Sequence, residues 1–363
     1  MKKILLLLLI AFACNYSFAV ASLTVAKDTV AVASAPPFNI DSATQHYLNM
    51  LSPEAKAKSD AYFEGGYWLL LWNMVYGFAL AFIFLQLGLG KWMKRIALKV
   101  KNVNLQNLIY VVSYILLSWV LSFPFSVYQD YFREHQYGLS NLNFSGWLSE
   151  DLKGLAIGLV MGSLLIVLLY LALRKTGKHW WIWGASGSIF FSAFIAFIAP
   201  VFLAPIFNKY QPLPEGKLKQ QILSMARANC IPADNVYMFD ASKQSKRVSA
   251  NVSGFASTTR ISLNDNLLNR CTPAEIRAVM GHEMGHYVLN HVYKGIIDFG
   301  VLIFIMFAFL NWAMNKLINR YGTTWGISSI SDIAGLPLLV ILFTFAFFTA
   351  TPITNTMTRT QEM

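Results

Sequence analysis

The chain has 363 residues, of which 56% are hydrophobic and only 13% are charged, and its formal net charge is +11. This composition is too apolar for a soluble globular domain and indicates a polytopic membrane protein. Excess Lys and Arg in such a protein are typical of the loops that set its orientation. No basic run interleaved with aromatic residues lies outside the membrane flanks, so we expect no nucleic-acid partner.

The first 26 residues have the pattern of a secretory signal peptide. Two Lys near the start precede an apolar run at residues 4–13, and Ala19-Val20-Ala21 fits a cleavage site. An uncleaved first transmembrane helix is the main alternative. Residues 27–65 are polar and are predicted to form an extramembrane segment with one or two short helices in residues 41–64.

Six later segments are apolar and long enough to cross a bilayer. Four lie within residues 66–203 and two within residues 295–352, and their bounds are Gly66–Gly90, Asn107–Tyr128, Gly154–Leu173, Trp181–Leu203, Gly295–Met314 and Ala334–Thr351. Trp residues near their ends are typical of anchors at the membrane interface. With the N-terminal run, these segments predict a mainly α protein of six to seven transmembrane helices in a lipid bilayer.

The one large soluble insert is residues 204–294, which we predict to be a small α+β domain. Residues 216–229 have the apolar spacing of an amphipathic helix, and residues 235–239 have the composition of a strand. Val248–Gly254 and Thr258–Leu263 alternate as the two strands of a β-hairpin do. Such a sheet is where many proteases hold a peptide, by adding it as an extra strand.

The insert ends in the run His282-Glu283-Met284-Gly285-His286. Two His four residues apart on a helix lie about 40° apart around its axis, so both imidazoles face one way. That pair binds Zn²⁺, and the Glu between them can polarise a water. Thr272-Pro273-Ala274-Glu275 is a helix start, and we predict that the helix continues unbroken to Lys294. The competing interpretation is a helix with two solvated His.

A catalytic Zn²⁺ needs a third protein ligand and an open position. His291 is the nearest candidate, but in an unbroken helix it lies opposite His282, so we interpret it as a packing residue or as support for the ligands. The pattern H-E-x-x-H-x-x-G-x-x-H fails, because Leu289 and Val292 occupy its Gly and third His positions. The third ligand must come from elsewhere in the chain.

Beyond this motif, the chain from about residue 65 onwards resembles the type I CAAX prenyl protease family of membrane zinc metalloproteases. The stretches that carry the resemblance are FPFSVYQDYFREHQYGLSN, APIFNKYQPLPEG, DASKQSKRVSANVSGFASTTRISLNDNLL, EIRAVMGHEMGHYVLNH and NTMTRTQEM. The resemblance implies a ring of seven helices around a large chamber that the metal site caps.

The resemblance also implies roles for individual residues. His282 and His286 would bind one Zn²⁺ per chain and Glu283 would be the general base. Thr358-Arg359-Thr360-Gln361-Glu362 fits the family pattern for the third ligand, which makes Glu362 that ligand by resemblance. The spacing of the residues alone would not have identified it.

Two further expectations come from the resemblance. Asn251 corresponds to a family Asn that lies near the substrate backbone, so we expect it to bind substrate. The family continues past the ligand Glu with a further helical domain, whereas this sequence stops one residue after it. We therefore expect a truncated chain in which residues 353–363 begin the third-ligand helix.

Together these features predict a membrane-embedded zinc metalloendopeptidase that cuts CAAX-type peptides or other membrane-protein substrates. An intramembrane site-2-type protease is one alternative, although Glu275, Arg277 and Lys294 flank the motif and argue against it. A catalytically inactive chamber protein that binds lipidated or apolar ligands is the other.

Basic connections predict the orientation. The connection after the first apolar segment carries Lys91, Lys94, Arg95, Lys99 and Lys101. The connection after the third segment carries three further Lys and Arg at residues 174–178. Both fall on one side, which the rule for basic loops makes cytoplasmic. We therefore expect the zinc domain outside the cytoplasm, in a bacterial inner membrane, although eukaryotic members of the resembled family are thought to face the cytosol.

Overall fold

The structure, a computed structural model, describes residues 39–254 and 259–362. The predicted signal peptide or first span therefore lies outside the described residues. The described chain divides into two compact units, of which the first ends at Lys56 and the second begins at Ala57. The first unit contains helix α1 (Ile40–Asn49) and the start of the next helix.

The described chain is predominantly helical, which confirms the mainly α class. After α1 its helices are α2 (Pro53–Leu85), α3 (Leu89–Ala97), α4 (Val103–Ser126), α5 (Arg133–Gln136), α6 (Phe144–Thr176), α7 (Trp180–Ile198), α8 (Ala204–Phe207), α9 (Lys217–Ala228), α10 (Asp265–Arg270), α11 (Pro273–Val288), α12 (His291–Trp325) and α13 (Leu336–Glu362). Short π-helical turns join α4 to α5 and α7 to α8.

Five helical stretches of the described chain are long and apolar enough to cross a membrane, and the protein is an integral membrane protein. They are Pro53–Leu85, Val103–Gln136, Phe144–Phe207, His291–Trp325 and Ile333–Glu362. For the described residues, the predicted number of six to seven was slightly too high. Two predicted segments fall within the third stretch, on either side of a turn at Gly177, where φ is 51°.

The helices also extend beyond the apolar segments that were predicted. The fifth predicted segment, Gly295–Met314, lies inside α12, which runs from His291 to Trp325. Hydropathy detects only the part of a helix that needs a hydrocarbon environment, whereas backbone hydrogen bonds continue the helix into the polar region.

Close packing of α7 against its neighbours depends on Gly184. A Cβ atom at this position would lie 2.7 Å from Phe307 Cε1 of α12 and 2.9 Å from Leu169 Cδ1 of α6. One helical turn earlier, the buried Trp180 donates its Nε1 hydrogen to Asn311 Oδ1 of α12 at 2.7 Å. Small residues and hydrogen bonds between helices are the usual means of joining helices in a membrane.

The chain between α8 and α12 contains a four-stranded sheet in the order β1-β2-β4-β3, made of β1 (Tyr210–Pro212), β2 (Val236–Phe239), β3 (Ala250–Ser253) and β4 (Arg260–Asn264). β2 pairs in parallel with β4, and the other two pairs are antiparallel. The predicted hairpin is confirmed, with Asn251 opposite Ser262. Its turn, residues 255–258, lies outside the described residues, and β3 is an edge strand of this sheet.

A hydrophobic core of its own holds this sheet against α9 and α11. On α11 the apolar side is the row Ile276, Met280 and Met284, which are at most 2% exposed. This row packs with Ile222 of α9 and Ile261 of β4 in one buried cluster. Four-residue spacing puts the row on one face of the helix, and burying each such side chain contributes roughly 1.5–3 kcal/mol. The core therefore fixes which face of α11 remains for chemistry.

Candidate active site

A capping box begins helix α11. The Thr272 backbone N–H donates to Glu275 Oε2 at 2.7 Å, and the Glu275 N–H donates to Thr272 Oγ1 at 3.3 Å. Pro273 follows at the first helical position, where its missing N–H has no intrahelical partner to lose. The predicted start of this helix is confirmed.

The two motif His lie on the face of α11 that the core leaves open. His282 follows the buried Met280 by two residues, which turns it about 200° around the axis. His286 lies one turn further on the same face, and its ring centre is 4.6 Å from that of His282. None of the five candidate spans includes α11.

Glu362, the last residue of α13, reaches this pair. Its Oε2 lies 3.2 Å from His282 Nε2 and 3.6 Å from His286 Nε2, and the two Nε2 atoms are 3.0 Å apart. The side chains of His282 and Glu362 are about half exposed, at 51% and 49%. The geometry thus brings together the two His of the motif and a carboxylate that is distant in sequence, at a point open to solvent.

This donor set fits a catalytic zinc ion. Two imidazoles and one carboxylate, with a fourth position left open, are a common ligand set of hydrolytic zinc sites. Ligand atoms about 2.0–2.1 Å from a tetrahedral Zn²⁺ lie roughly 3.3 Å from one another. The separations of 3.0, 3.2 and 3.6 Å here bracket that value. Three lone-pair atoms converging on one point repel one another unless a cation or a proton lies between them.

Glu283 lies between the two His in sequence and is partly buried. Burial raises the pKa of its carboxyl group above the ordinary value, nearby His282 and His286 lower it, and Glu362 raises it. The net effect is a raised pKa. A carboxyl group that is partly removed from water beside a cluster of ionisable groups is a candidate for proton transfer.

His291 is not where the sequence predicted it. Helix α11 ends at Val288, and Asn290 adopts a left-handed conformation with φ 57° before α12 begins at His291. The prediction of one unbroken helix was therefore wrong. His291 Nδ1 lies 2.7 Å from His286 Nδ1, on the side of that ring away from Glu362. Asn is among the few residues that adopt this conformation readily, and this was the signal in the sequence.

The remaining predicted site residue, Asn251, lies in β3, the edge strand that packs against α11. Next to it a cavity of about 260 Å³ adjoins His286 and is walled mainly by apolar and aromatic side chains, among them Ala196, Val252, Tyr287 and Val292. The site therefore has both an edge strand and an apolar recess beside the converging His and Glu side chains.

Comparisons with known protein families divide the chain into two matched regions. Residues 41–209 match the model described as "CAAX prenyl protease N-terminal, five membrane helices", and residues 212–363 match "Peptidase family M48". The chain belongs to peptidase family M48. Membership of this metalloprotease family implies a bound metal, typically zinc, and peptide substrates.

Relatives of this M48 chain come from bacteria and eukaryotes. The "Uncharacterized metalloprotease YhfN" of Bacillus subtilis is 28% identical over 91% of this chain and 77% of its own length. The "CAAX prenyl protease 1 homolog" of Arabidopsis thaliana is 29% identical over 60% of this chain and 52% of its own length. For "CAAX prenyl protease 1" of Saccharomyces cerevisiae the identity is 31%, over 57% and 46%. The chain thus spans about half the length of these eukaryotic relatives.

A similar fold is found in a solved structure. The crystal structure of Ste24p from S. mikatae superposes with a TM-score of 0.71 at 24% identity, covering 86% of this chain and 76% of that chain. At this identity the likeness shows the fold, and it agrees with a helical membrane protein that carries a small sheet.

Proposed function

We propose that this chain is a zinc metalloendopeptidase that hydrolyses peptide bonds at the membrane surface, with His282, His286 and Glu362 holding one Zn²⁺. The observation that carries the proposal is the convergence of these three side chains around one point, with 3.0–3.6 Å between their nitrogen and oxygen atoms. An inactive chamber protein, the alternative from the sequence, has no comparable observation in its favour.

The chemistry divides between the metal and the chain. A Zn²⁺ ion held by this donor set would lower the pKa of water and polarise a carbonyl group. Glu283 would accept a proton from the attacking water and return it to the leaving amine. Its partial burial and raised pKa favour a carboxyl group that gains and loses a proton during the reaction.

The substrate would bind along β3 as an added strand. An edge strand offers unpaired backbone N–H and C=O groups, and Asn251 lies in the middle of this one. The apolar cavity beside His286 would take a side chain next to the bond that is cut. A CAAX-type peptide and an apolar segment of a membrane protein both meet these requirements.

Removal of the metal tests the proposal. Hydrolysis of an internally quenched fluorescent peptide by the purified protein in detergent should fall to background with 1,10-phenanthroline and return when Zn²⁺ is added. The isomer 1,7-phenanthroline, which does not chelate zinc, is the matched control and should leave the rate unchanged. Activity that survives 1,10-phenanthroline at a concentration that strips the metal would contradict a zinc-dependent reaction.

We further propose that the zinc domain lies outside the cytoplasm of a bacterial inner membrane. Lys94 Nζ of the first basic connection donates to Asp332 Oδ2 at 2.5 Å, and Arg174 of the second hydrogen-bonds the first turn of α4. The basic connections thus share one end of the helices. At the opposite end the Asn141 N–H donates to the Gln244 carbonyl oxygen of the soluble domain at 3.0 Å. Basic loops are typically cytoplasmic, which leaves the soluble domain on the other side.

Thiol labelling tests this orientation with a native residue. Cys230 is exposed on the soluble domain, and neither Cys230 nor Cys271 is in a disulfide. In a chain with Cys14 and Cys271 replaced by Ser, a membrane-impermeant maleimide should label Cys230 in intact spheroplasts. Lys178→Cys in a chain without its native Cys is the matched control and should react only after lysis. Labelling of Cys230 only after lysis would overturn the proposed orientation.

A further inference from the structure

The imidazole of His286 makes contacts through both of its nitrogens. Nε2 faces the point shared with His282 and Glu362, at 3.0 and 3.6 Å from their nearest atoms. Nδ1 lies 2.7 Å from His291 Nδ1, and the two rings meet at 63° with their centres 4.9 Å apart. The orientation of this ring therefore depends on His291 as well as on the point that it shares with His282 and Glu362.

The short contact between the two Nδ1 atoms limits where the protons can lie when His286 binds a metal through Nε2. A ring nitrogen that binds a metal has no proton, so a neutral His286 that binds through Nε2 carries its proton on Nδ1. In that state the N–H would donate to His291 Nδ1, which would be the acceptor, and the proton of a neutral His291 would be on its own Nε2. One hydrogen bond thus selects a tautomer for each ring.

The turn between α11 and α12 is what brings His291 to this place. In an unbroken helix a residue nine positions after His282 would lie about 180° away from it. Asn290, at φ 57°, interrupts the helix between Val288 and His291, and its carbonyl oxygen accepts the backbone N–H groups of Tyr293 and Lys294 at 3.1 Å each. These bonds begin α12 and hold His291 in its first turn.

We propose that His291 is a positioning residue for the metal, which acts by accepting a hydrogen bond from His286 and so fixing the orientation and tautomer of that ligand. The proposal rests on the proposed metal site. Metal-binding His usually donate their second N–H to a fixed acceptor, and losing that acceptor weakens metal binding about tenfold to hundredfold. Here the acceptor is a second imidazole, five residues later in the chain.

Two substitutions at this position separate the hydrogen bond from mere packing. His291→Leu keeps a side chain of similar size but has no acceptor. His291→Asn carries an acceptor oxygen on Cγ, the atom that carries Nδ1 in His. His179→Leu, at an exposed His in the turn before α7, is the matched control for loss of an imidazole. Zinc affinity is measured for each purified protein by competition with a fluorescent chelator, with the melting temperature of the metal-free protein beside it.

We expect zinc binding about tenfold to hundredfold weaker in His291→Leu, and within about threefold of the original chain in His291→Asn and His179→Leu. The metal-free proteins should have the same melting temperature, because the substitution changes the orientation of the ligand and not the stability of the fold. Unchanged zinc affinity in His291→Leu, or an equal loss in both His291 variants, would overturn the role of the hydrogen bond. If the unsubstituted protein binds no zinc, the proposed metal site is contradicted. This outcome is distinct from the ones that contradict the role of His291.

Discussion

Glu283→Gln is expected to abolish peptide hydrolysis while zinc remains bound. The amide has nearly the shape of the carboxyl group but cannot accept a proton from the attacking water, and the three proposed ligands are unchanged. General base catalysis contributes about 10²–10⁴-fold, so kcat/KM should fall by at least this factor. Hydrolysis of a fluorogenic peptide gives the rate, and elemental analysis of the same preparation gives the zinc content.

The matched control for this variant is Glu275→Gln on the same helix. Glu275 belongs to the capping box with Thr272, and Gln also serves at that position, so the helix should remain intact. This control should keep both its zinc and its activity. Turnover by Glu283→Gln at the rate of the unsubstituted chain would remove Glu283 from the reaction, whereas loss of zinc in this variant would mean that the substitution disturbs the ligands.

Glu362→Gln is expected to weaken zinc binding by more than the tenfold to hundredfold that loss of a supporting contact causes. An amide oxygen is a poorer ligand for Zn²⁺ than a carboxylate, and two imidazoles alone leave the ion short of the three protein ligands of a catalytic site. The structure brings Glu362 Oε2 within 3.2 and 3.6 Å of the two Nε2 atoms. Chelator competition measures the zinc affinity, and hydrolysis should be lost in parallel.

The neighbouring substitution Gln361→Ala is the control for disturbance of the last helical turn. Gln361 lies on the same terminal turn of α13 as Glu362 but is not part of the group formed by His282, His286 and Glu362. We expect its zinc affinity to match that of the unsubstituted chain. Equal zinc affinity in Glu362→Gln and the unsubstituted chain would leave the third ligand without a candidate, since Glu362 is the one carboxylate in the converging group of the described residues.

Much of the local structure could be predicted because it depends on neighbours in sequence. The capping box at Thr272 begins α11 where the sequence predicts, and four-residue spacing aligns His282 with His286. Strict alternation predicted the hairpin of β3 and β4. The length of the apolar segments indicated the membrane spans. The longest helical stretch, Phe144–Phe207, nevertheless contains the turn at Gly177, which divides it into two helices.

The sequence by itself therefore determined the class of protein, the pair of His and the Glu between them, because helical and strand periods bring residues a few positions apart onto one face. Glu362 became a candidate only through family resemblance, because its approach to His282 depends on how α13 packs relative to α11, which no local spacing encodes. The contact of His291 with His286 needed the tertiary structure as well. This contact depends on one residue in the left-handed conformation, Asn290, which separates α11 from α12. Whether α11 continues or ends at that residue is a matter of a small free-energy difference, which depends on what the two helices pack against.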